Sequence, residues 1–377
     1  MSTGATESPA DATRPSPLLG ALEAAGGVVH EYHGRHVARH FGDPAGEYVA
    51  ATTRVAVFDR SHRTRLTVSG RAPRQMLNGV LTGALPAPPV EIEPGVFGGN
   101  ATYSAVLTPK GRMITDVWTV LPGEEEAPGF LLDVPVAGAT ALRDHFGKFI
   151  PPRLAKVQDT SGELASISVV GPDAVGVLSR LALGLRVDDT WLGDAEEGQW
   201  RRVGASPNGL AVVRTCEVWP DAWSVHGPST AVVALWKALV DDGVCPAGLG
   251  VWSTLRVEAG RPAFGTDMDE RTLPPEAGIV ERAIDQSKGC YTGQEVIVRI
   301  RDRGHVNRHL RRLELGDVPT PSKGTELMDP DGSVAGEITS AVQSPRFGGV
   351  LAMAYVRRGR ECVLLDGREI RVLSDAP

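Results

Sequence analysis

The sequence predicts an α+β protein of two or three packed domains that ends in a small β-barrel. Three observations predict it. A chain of 377 residues exceeds what one ordinary hydrophobic core supports. Alternating strands that break at Gly and Pro and run into helical spacing occur twice, at Arg65–Leu81 and Ser166–Leu183. Beyond Leu310 the pattern is short alternating stretches punctuated by Asp331-Gly332 and Asp366-Gly367, both hairpin-turn dipeptides.

Composition bounds the function. Hydrophobic residues make up 42% and charged residues 23%, the balance of a folded globular chain. The formal charge of −7 provides no global field for a polyanion, so a nucleic-acid contact would need a local basic patch. No apolar run reaches the roughly 18 residues that span a bilayer, and the N-terminus lacks a basic-then-apolar signal, so a cytoplasmic protein without a membrane partner is expected. The four cysteines, Cys216, Cys245, Cys290 and Cys362, form no C-x-x-C pair. That spacing excludes zinc-ribbon and thioredoxin motifs and predicts reduced thiols.

Along the chain, Met1–Pro17 is rich in Ser, Thr, Ala and Pro and is expected to be a disordered tail over residues 1–17. Leu18–Val28 has helical spacing and stops at Gly26-Gly27. In the first strand–turn–helix unit Leu66 and Val68 share one face and Arg65, Thr67 and Ser69 the other, followed by a helix over Gln75–Leu81. The second unit repeats the arrangement with Ile167 and Val169, Gly171-Pro172 and a helix over Ala174–Leu183, which reads either as two related α+β subdomains or as chance repetition. Between them, Tyr103–Leu107 and Met113–Leu121 form a hairpin around Thr108-Pro109-Lys110-Gly111. Pro122–Pro128 with Glu124–Glu126 reads as a solvated loop before strand Phe130–Val134. Ser229 or Thr230 caps a helix whose Val232, Leu235, Trp236 and Leu239 form one stripe. These boundaries give an α+β region over 18–304 and a barrel over 305–377.

One segment carries chemistry-bearing residues in a turn setting: Lys288-Gly289-Cys290-Tyr291-Thr292-Gly293-Gln294-Glu295, leading into an apparent strand Val296–Ile300. Flanking glycines and the Lys288 charge would present Cys290 and favour its thiolate; a small buried cysteine in a turn is the alternative. A basic stretch follows, from Arg299 to Arg312. On a strand Arg299, Arg301 and Arg303 share a face, which reads as a solvated surface or as an anchor for a polyanionic tail or an RNA backbone. His30, His33, His36 and His40 cluster near the start, but no carboxylate or cysteine completes a familiar metal spacing, and no metal is expected. No G-x-S-x-G, P-loop, G-x-G-x-x-G or H-E-x-x-H pattern occurs.

The eight-residue segment resembles the K-G-C-Y-x-G-Q-E signature of the YgfZ family, relatives of the aminomethyltransferase (T-protein) of glycine cleavage. The resemblance extends through Pro246–Gly250, Leu255–Pro262, Gly265–Met268 and Pro275–Gly278, and upstream through Gly111–Asp116 and Val213–Thr215, covering roughly Leu18–Leu373. It implies a three-domain cloverleaf around a central hole for tetrahydrofolate. A pterin offers an amide N–H and an amine to a carboxylate, and its glutamate tail asks for a cation. Asp116 and Asp221 are the carboxylate candidates, Arg256 the cationic one, and Cys290 takes the functional position of the signature. Two departures stand out. T-proteins carry Gly-Tyr-Thr-Gly-Glu at Cys216–Pro220 and Ala-Arg-Asp at Val251–Ser253.

The resemblance implies a tetrahydrofolate-binding accessory protein for iron–sulfur cluster maintenance or a linked tRNA-modification step, with iron–sulfur client enzymes as partners and Cys290 as nucleophile or transient thiol ligand. The alternative is an aminomethyltransferase, or a folate-dependent demethylase.

Overall fold

The computed structural model describes residues 15–122, 129–181, 189–203, 209–220 and 222–373. The tail over 1–14, the loop with Glu124–Glu126, Leu183 and Asp221 lie outside the described residues. Ser16 and Pro17 belong to the fold, not to a tail: Ser16 is buried and its hydroxyl donates to Asp59 Oδ2 at 2.7 Å.

Three sheets organise the described chain. The first, antiparallel, runs Lys156–Asp159, Thr64–Ser69, Gly129–Val134, Met113–Pro122, Thr102–Leu107. The second runs Cys245–Ala247, Ala56–Asp59, Leu164–Val170, Ala222–Pro228, Ala211–Thr215, Gln199–Val203, Val96–Asn100, Val90–Glu93, with Cys245–Ala247 its parallel member. The third holds six strands between Arg308 and Arg371, and a bridge from Leu313 to Val372 brings its two ends together into a nearly closed barrel. This is the α+β architecture with a C-terminal barrel that the sequence predicts.

Helix Val136–Phe149 covers the first sheet through Leu142 and Phe146, and helix Ser229–Asp241 covers the second through Val232, Leu235, Trp236 and Leu239. These apolar stripes supply most of the burial that holds helix to sheet. The two strand–turn–helix units fall in different sheets, yet the chain crosses between the sheets repeatedly. Ala56–Asp59 lies in the second sheet and the next strand, Thr64–Ser69, in the first; Val96–Asn100 and Thr102–Leu107 make the same crossing. Residues on such crossings sit where the sheets meet.

Three expectations need correction. The segment after the signature is a helix, Gln294–Arg303, not a strand. Gly293 begins it in the left-handed region at φ 84°, Glu295 sits in its first turn, and Arg301 and Arg303 sit in its last, so the end charges suit the helix dipole. Arg299, Arg301 and Arg303 therefore share no strand face. The face of Arg65 is interior: Arg65 is fully buried, donating to the carbonyls of Arg60, Ser61 and Arg63 and to the Ser166 hydroxyl. The helix expected over Gln75–Leu81 spans Pro73–Asn78, with proline taking its first turn as its fixed φ favours. Ser229 caps nothing; Pro228 holds the cap position and the Ser229 hydroxyl bonds to the Gly162 carbonyl at 3.3 Å.

Candidate functional site

Where the two large sheets meet, a cavity of about 110 Å³ opens. Its walls come from distant stretches. The crossing after Asp59 brings Arg60, His62 and Arg63; strands Thr102–Leu107 and Met113–Pro122 bring Tyr103 and Asp116; the loop after Thr215 brings Glu217; helix Leu249–Glu258 brings Trp252, Ser253 and Arg256; Arg261 and Arg282 close it.

Asp116 is the buried acid of this cavity. Tyr103 donates its hydroxyl to Asp116 Oδ2 at 2.6 Å, and Asp116 Oδ1 is buried without a partner. Burial raises the carboxyl above its ordinary value, against the pull of Arg63 and the Tyr103 hydroxyl. An orphaned buried acceptor costs on the order of 1–3 kcal/mol, which a ligand's N–H groups would recover. Glu217 behaves oppositely. Burial would raise it too, but Arg63, Arg60 and Arg282 outweigh that and hold it below the usual range, and it accepts from Trp118 Nε1 at 3.0 Å.

The arginines differ in what occupies them. Arg63 is fixed by Asp133 at 2.7 Å, Arg282 by Glu197 at 2.5 Å, and Arg256 by Asp267 at 2.5 Å. Asp133, despite its burial, is pulled down to about 2 by Arg63 and Arg65. Asp267 in turn accepts from Thr339 and Ser340 of the barrel, both at 2.7 Å. Arg256 lines the cavity, but its guanidinium is engaged in tying the cavity wall to the barrel.

Of the other sequence candidates, none of Lys288–Glu295 lines this cavity. Cys290 is an exposed free thiol. Lys288 donates to the carbonyls of Leu81 and Gly83, both at 2.7 Å, and burial lowers it to about 8. Lys288 and Gly289 instead edge a shallow groove shared with Asn78, Leu85 and Asp285. Tyr291 packs into the core, and Gln294 and Glu295 start the following helix. A side chain at Gly293 would strike the Thr108 carbonyl at 2.6 Å, so this glycine docks the signature on the turn of the Asp116 hairpin. The histidine cluster lies on the hairpin Val28–Tyr32 and Arg35–His40, and among the described residues no group of three or more His, Cys, Asp or Glu is arranged to hold a metal.

Sequence reasoning missed Arg60, His62, Arg63, Tyr103 and Arg282. The one available signal was the polar run Asp59–Arg63 between two apolar strands. Glu217, Trp252 and Ser253 were visible only as departures, and all three line the cavity.

Comparison with known proteins agrees with the fold. Residues 18–288 match the GCVT N-terminal domain and residues 308–372 the glycine cleavage T-protein C-terminal barrel domain. An aminomethyltransferase of Rubrobacter xylanophilus is 29% identical over 91% of this chain and 87% of its own length. One of Thermosynechococcus vestitus is 30% identical over 82% of this chain and 79% of its own. The crystal structure of glycine cleavage system aminomethyltransferase T from Bartonella henselae superimposes with a TM-score of 0.80 over 96% of each chain at 21% identity, which speaks to the fold. Among the described residues no helix is long and apolar enough to cross a membrane. With both of its domains matched over most of its length, the chain belongs to the GCVT family, the superfamily of the glycine cleavage T-protein.

Proposed function

We propose that this protein binds a reduced folate with its pterin against Asp116 and carries out aminomethyltransferase-type one-carbon transfer. The observation that carries the reading is Asp116 Oδ1, a buried acceptor without a partner on the wall of the cavity between the two large sheets. The family uses tetrahydrofolate, and relatives named aminomethyltransferase cover most of the chain. The residues present fit that group. Asp116 would accept the pterin's ring N–H and amine together, and Tyr103 holds the carboxylate's orientation. Bound, tetrahydrofolate would supply the nitrogen nucleophiles that accept a one-carbon unit. Glu217, Trp252 and Ser253 stand where T-proteins carry other residues, so the donor of that unit is the part in which this chain departs.

Isothermal titration with folinic acid tests the cofactor, with micromolar or tighter binding expected; no heat with the wild type would overturn it. Methylenetetrahydrofolate formation in a reconstituted glycine-cleavage assay supports aminomethyl transfer, whereas turnover of dimethylglycine or sarcosine alone assigns a demethylase.

A second reading follows from Cys290, whose thiol is exposed and outside the cavity. In it the protein is an accessory factor for iron–sulfur clients or a linked tRNA-modification step, and the thiol acts at the surface. Exposed Arg299 and Arg303 would then offer a weak contact to RNA phosphates. Cys290→Ala should bind folinic acid normally yet fail to restore cluster-enzyme activity in a deletion strain; full rescue removes the thiol from the function.

A further inference from the structure

We infer that Arg60 is the carboxylate-anchoring residue of the Asp116 cavity. The inference rests on the folate reading above and specifies how an anionic group is held there.

Arg63, Arg256 and Arg282 each have a carboxylate within 2.7 Å, and Arg261 donates Nε to the Cys216 carbonyl at 2.8 Å. Arg60 differs. Its side chain is 9% exposed, yet among the described residues it makes no hydrogen bond, and its one ion pair, to Glu217 Oε2, is long at 3.7 Å. A guanidinium carries five N–H donors, and donors at a cavity wall without a protein acceptor are open to one from a ligand.

Orientation supports the same role. The Arg60 guanidinium lies over the Trp252 ring with its carbon 3.9 Å from the centroid. Stacking spends the flat face on the indole and leaves the N–H edge to the cavity that Arg60 lines. A fork held by its face presents two parallel donors, which matches the two oxygens of a carboxylate. Glu217 shares its charge among Arg60, Arg63 and Arg282, so it does not satisfy Arg60 alone. Burial lowers the Arg60 guanidinium to about 10, which an added anion would reverse.

The ligand chemistry is therefore a carboxylate, either on the folate's glutamate tail or on an amino-acid donor of the one-carbon unit. Arg60→Met keeps the stem over Trp252 and removes the fork. Its binding of folinic acid, of tail-less 6-methyltetrahydropterin, and of sarcosine and dimethylglycine with folinic acid present is compared with the wild type by titration calorimetry. A loss on the order of 10- to 100-fold for folinic acid with unchanged pterin affinity assigns the tail. A loss of similar size for the amino acids with unchanged folinic acid assigns the donor. Wild-type affinity of Arg60→Met for every carboxylate ligand that the wild type binds overturns the inference and leaves the folate reading standing. No binding of folinic acid or pterin by the wild type overturns the folate reading, and the anchor falls with it only if sarcosine and dimethylglycine also fail to bind. Arg60→Lys, which retains charge without the fork, repeats the comparison if the methionine variant folds poorly; an unchanged affinity there for carboxylates is again contrary to the inference.

Discussion

The Tyr103 hydroxyl reaches one oxygen of Asp116 at 2.6 Å and leaves the other buried with nothing to accept from. This half-satisfied carboxylate sets function against stability. Its pKa is raised in the folded protein, so the stability it contributes is full below the unfolded carboxyl value and is lost as pH rises through the folded one. At neutral pH it is a net cost.

Asp116→Asn should therefore stabilise the protein at pH 7 by on the order of 1 kcal/mol while weakening folinic acid binding roughly 10- to 100-fold. Denaturant titration and calorimetry on the same samples check both signs. A variant that is less stable and binds normally would refute the assignment.

Gly138 lies in the helix behind Asp116, and an added Cβ would collide with the Cβ and Oγ1 of buried Thr115, the residue preceding Asp116 on its strand. Gly138→Ala should destabilise by about 1–3 kcal/mol and lower folate affinity through the displaced strand. Gly147 on the same helix has open space, so Gly147→Ala should instead stabilise by roughly 0.5–1 kcal/mol. Equal effects from the two substitutions would contradict the packing argument.

The Arg256–Asp267 pair links the cavity wall to the barrel residues Thr339 and Ser340. Removing one member leaves an uncompensated buried charge, so Arg256→Met should cost about 3–5 kcal/mol. The double variant Arg256→Met, Asp267→Asn should cost clearly less than the two single changes added together. Additive losses from a double-mutant cycle would show that the pair is not coupled.

What the sequence disclosed and what it hid follow from locality. The Thr108–Gly111 hairpin was legible because its turn chemistry lies within four residues, and Asp366-Gly367 for the same reason, with both residues at positive φ. Asp116 was reached through resemblance. Arg60, His62 and Arg63 were hidden because their meaning depends on Ala56–Asp59 and Thr64–Ser69 joining different sheets, a long-range fact that no window contains. Val296, Val298 and Ile300 alternate well enough for a strand, but Ile297 is the residue buried and Gly293 starts a helix, so period two and period 3.6 could not be separated over so short a run. Alternation told which face Arg65 takes but not that this face is interior, where Arg65 satisfies backbone carbonyls.

Cys290 is exposed, whereas the Cys216, Cys245 and Cys362 thiols are partly shielded and pushed up, by burial in each case and at Cys362 by nearby Glu369 as well. Iodoacetamide should therefore label one site fast, and Cys290→Ala should abolish that phase. Because Cys290 does not line the Asp116 cavity, saturating folinic acid should leave its labelling rate within about twofold. Strong protection by folinic acid would place the thiol at the ligand and overturn the separation of the two sites.

His226 faces Asp133, Arg65, Arg63 and Glu217, and burial lowers it to about 4, with its Nδ1 left without a partner. His62 is lowered well below its ordinary value for the same reason, with Arg60 and Arg63 adding to the effect. Both imidazoles are neutral in the folded protein and take up protons on unfolding below their unfolded value of 6.5. The unfolded chain thus binds more protons in this window, and stability must fall as pH drops from 6.5 towards 4. Asp133 acts in a separate window, since its stabilisation persists until pH falls below its unfolded value of 3.8. His226→Gln should remove about one proton from the linkage, flattening the decline by roughly 1.4 kcal/mol per pH unit between 6 and 4.5. Urea unfolding at pH 7, 6, 5 and 4.5 measures that slope, and a slope identical to wild type would mean that His226 is already protonated inside the fold.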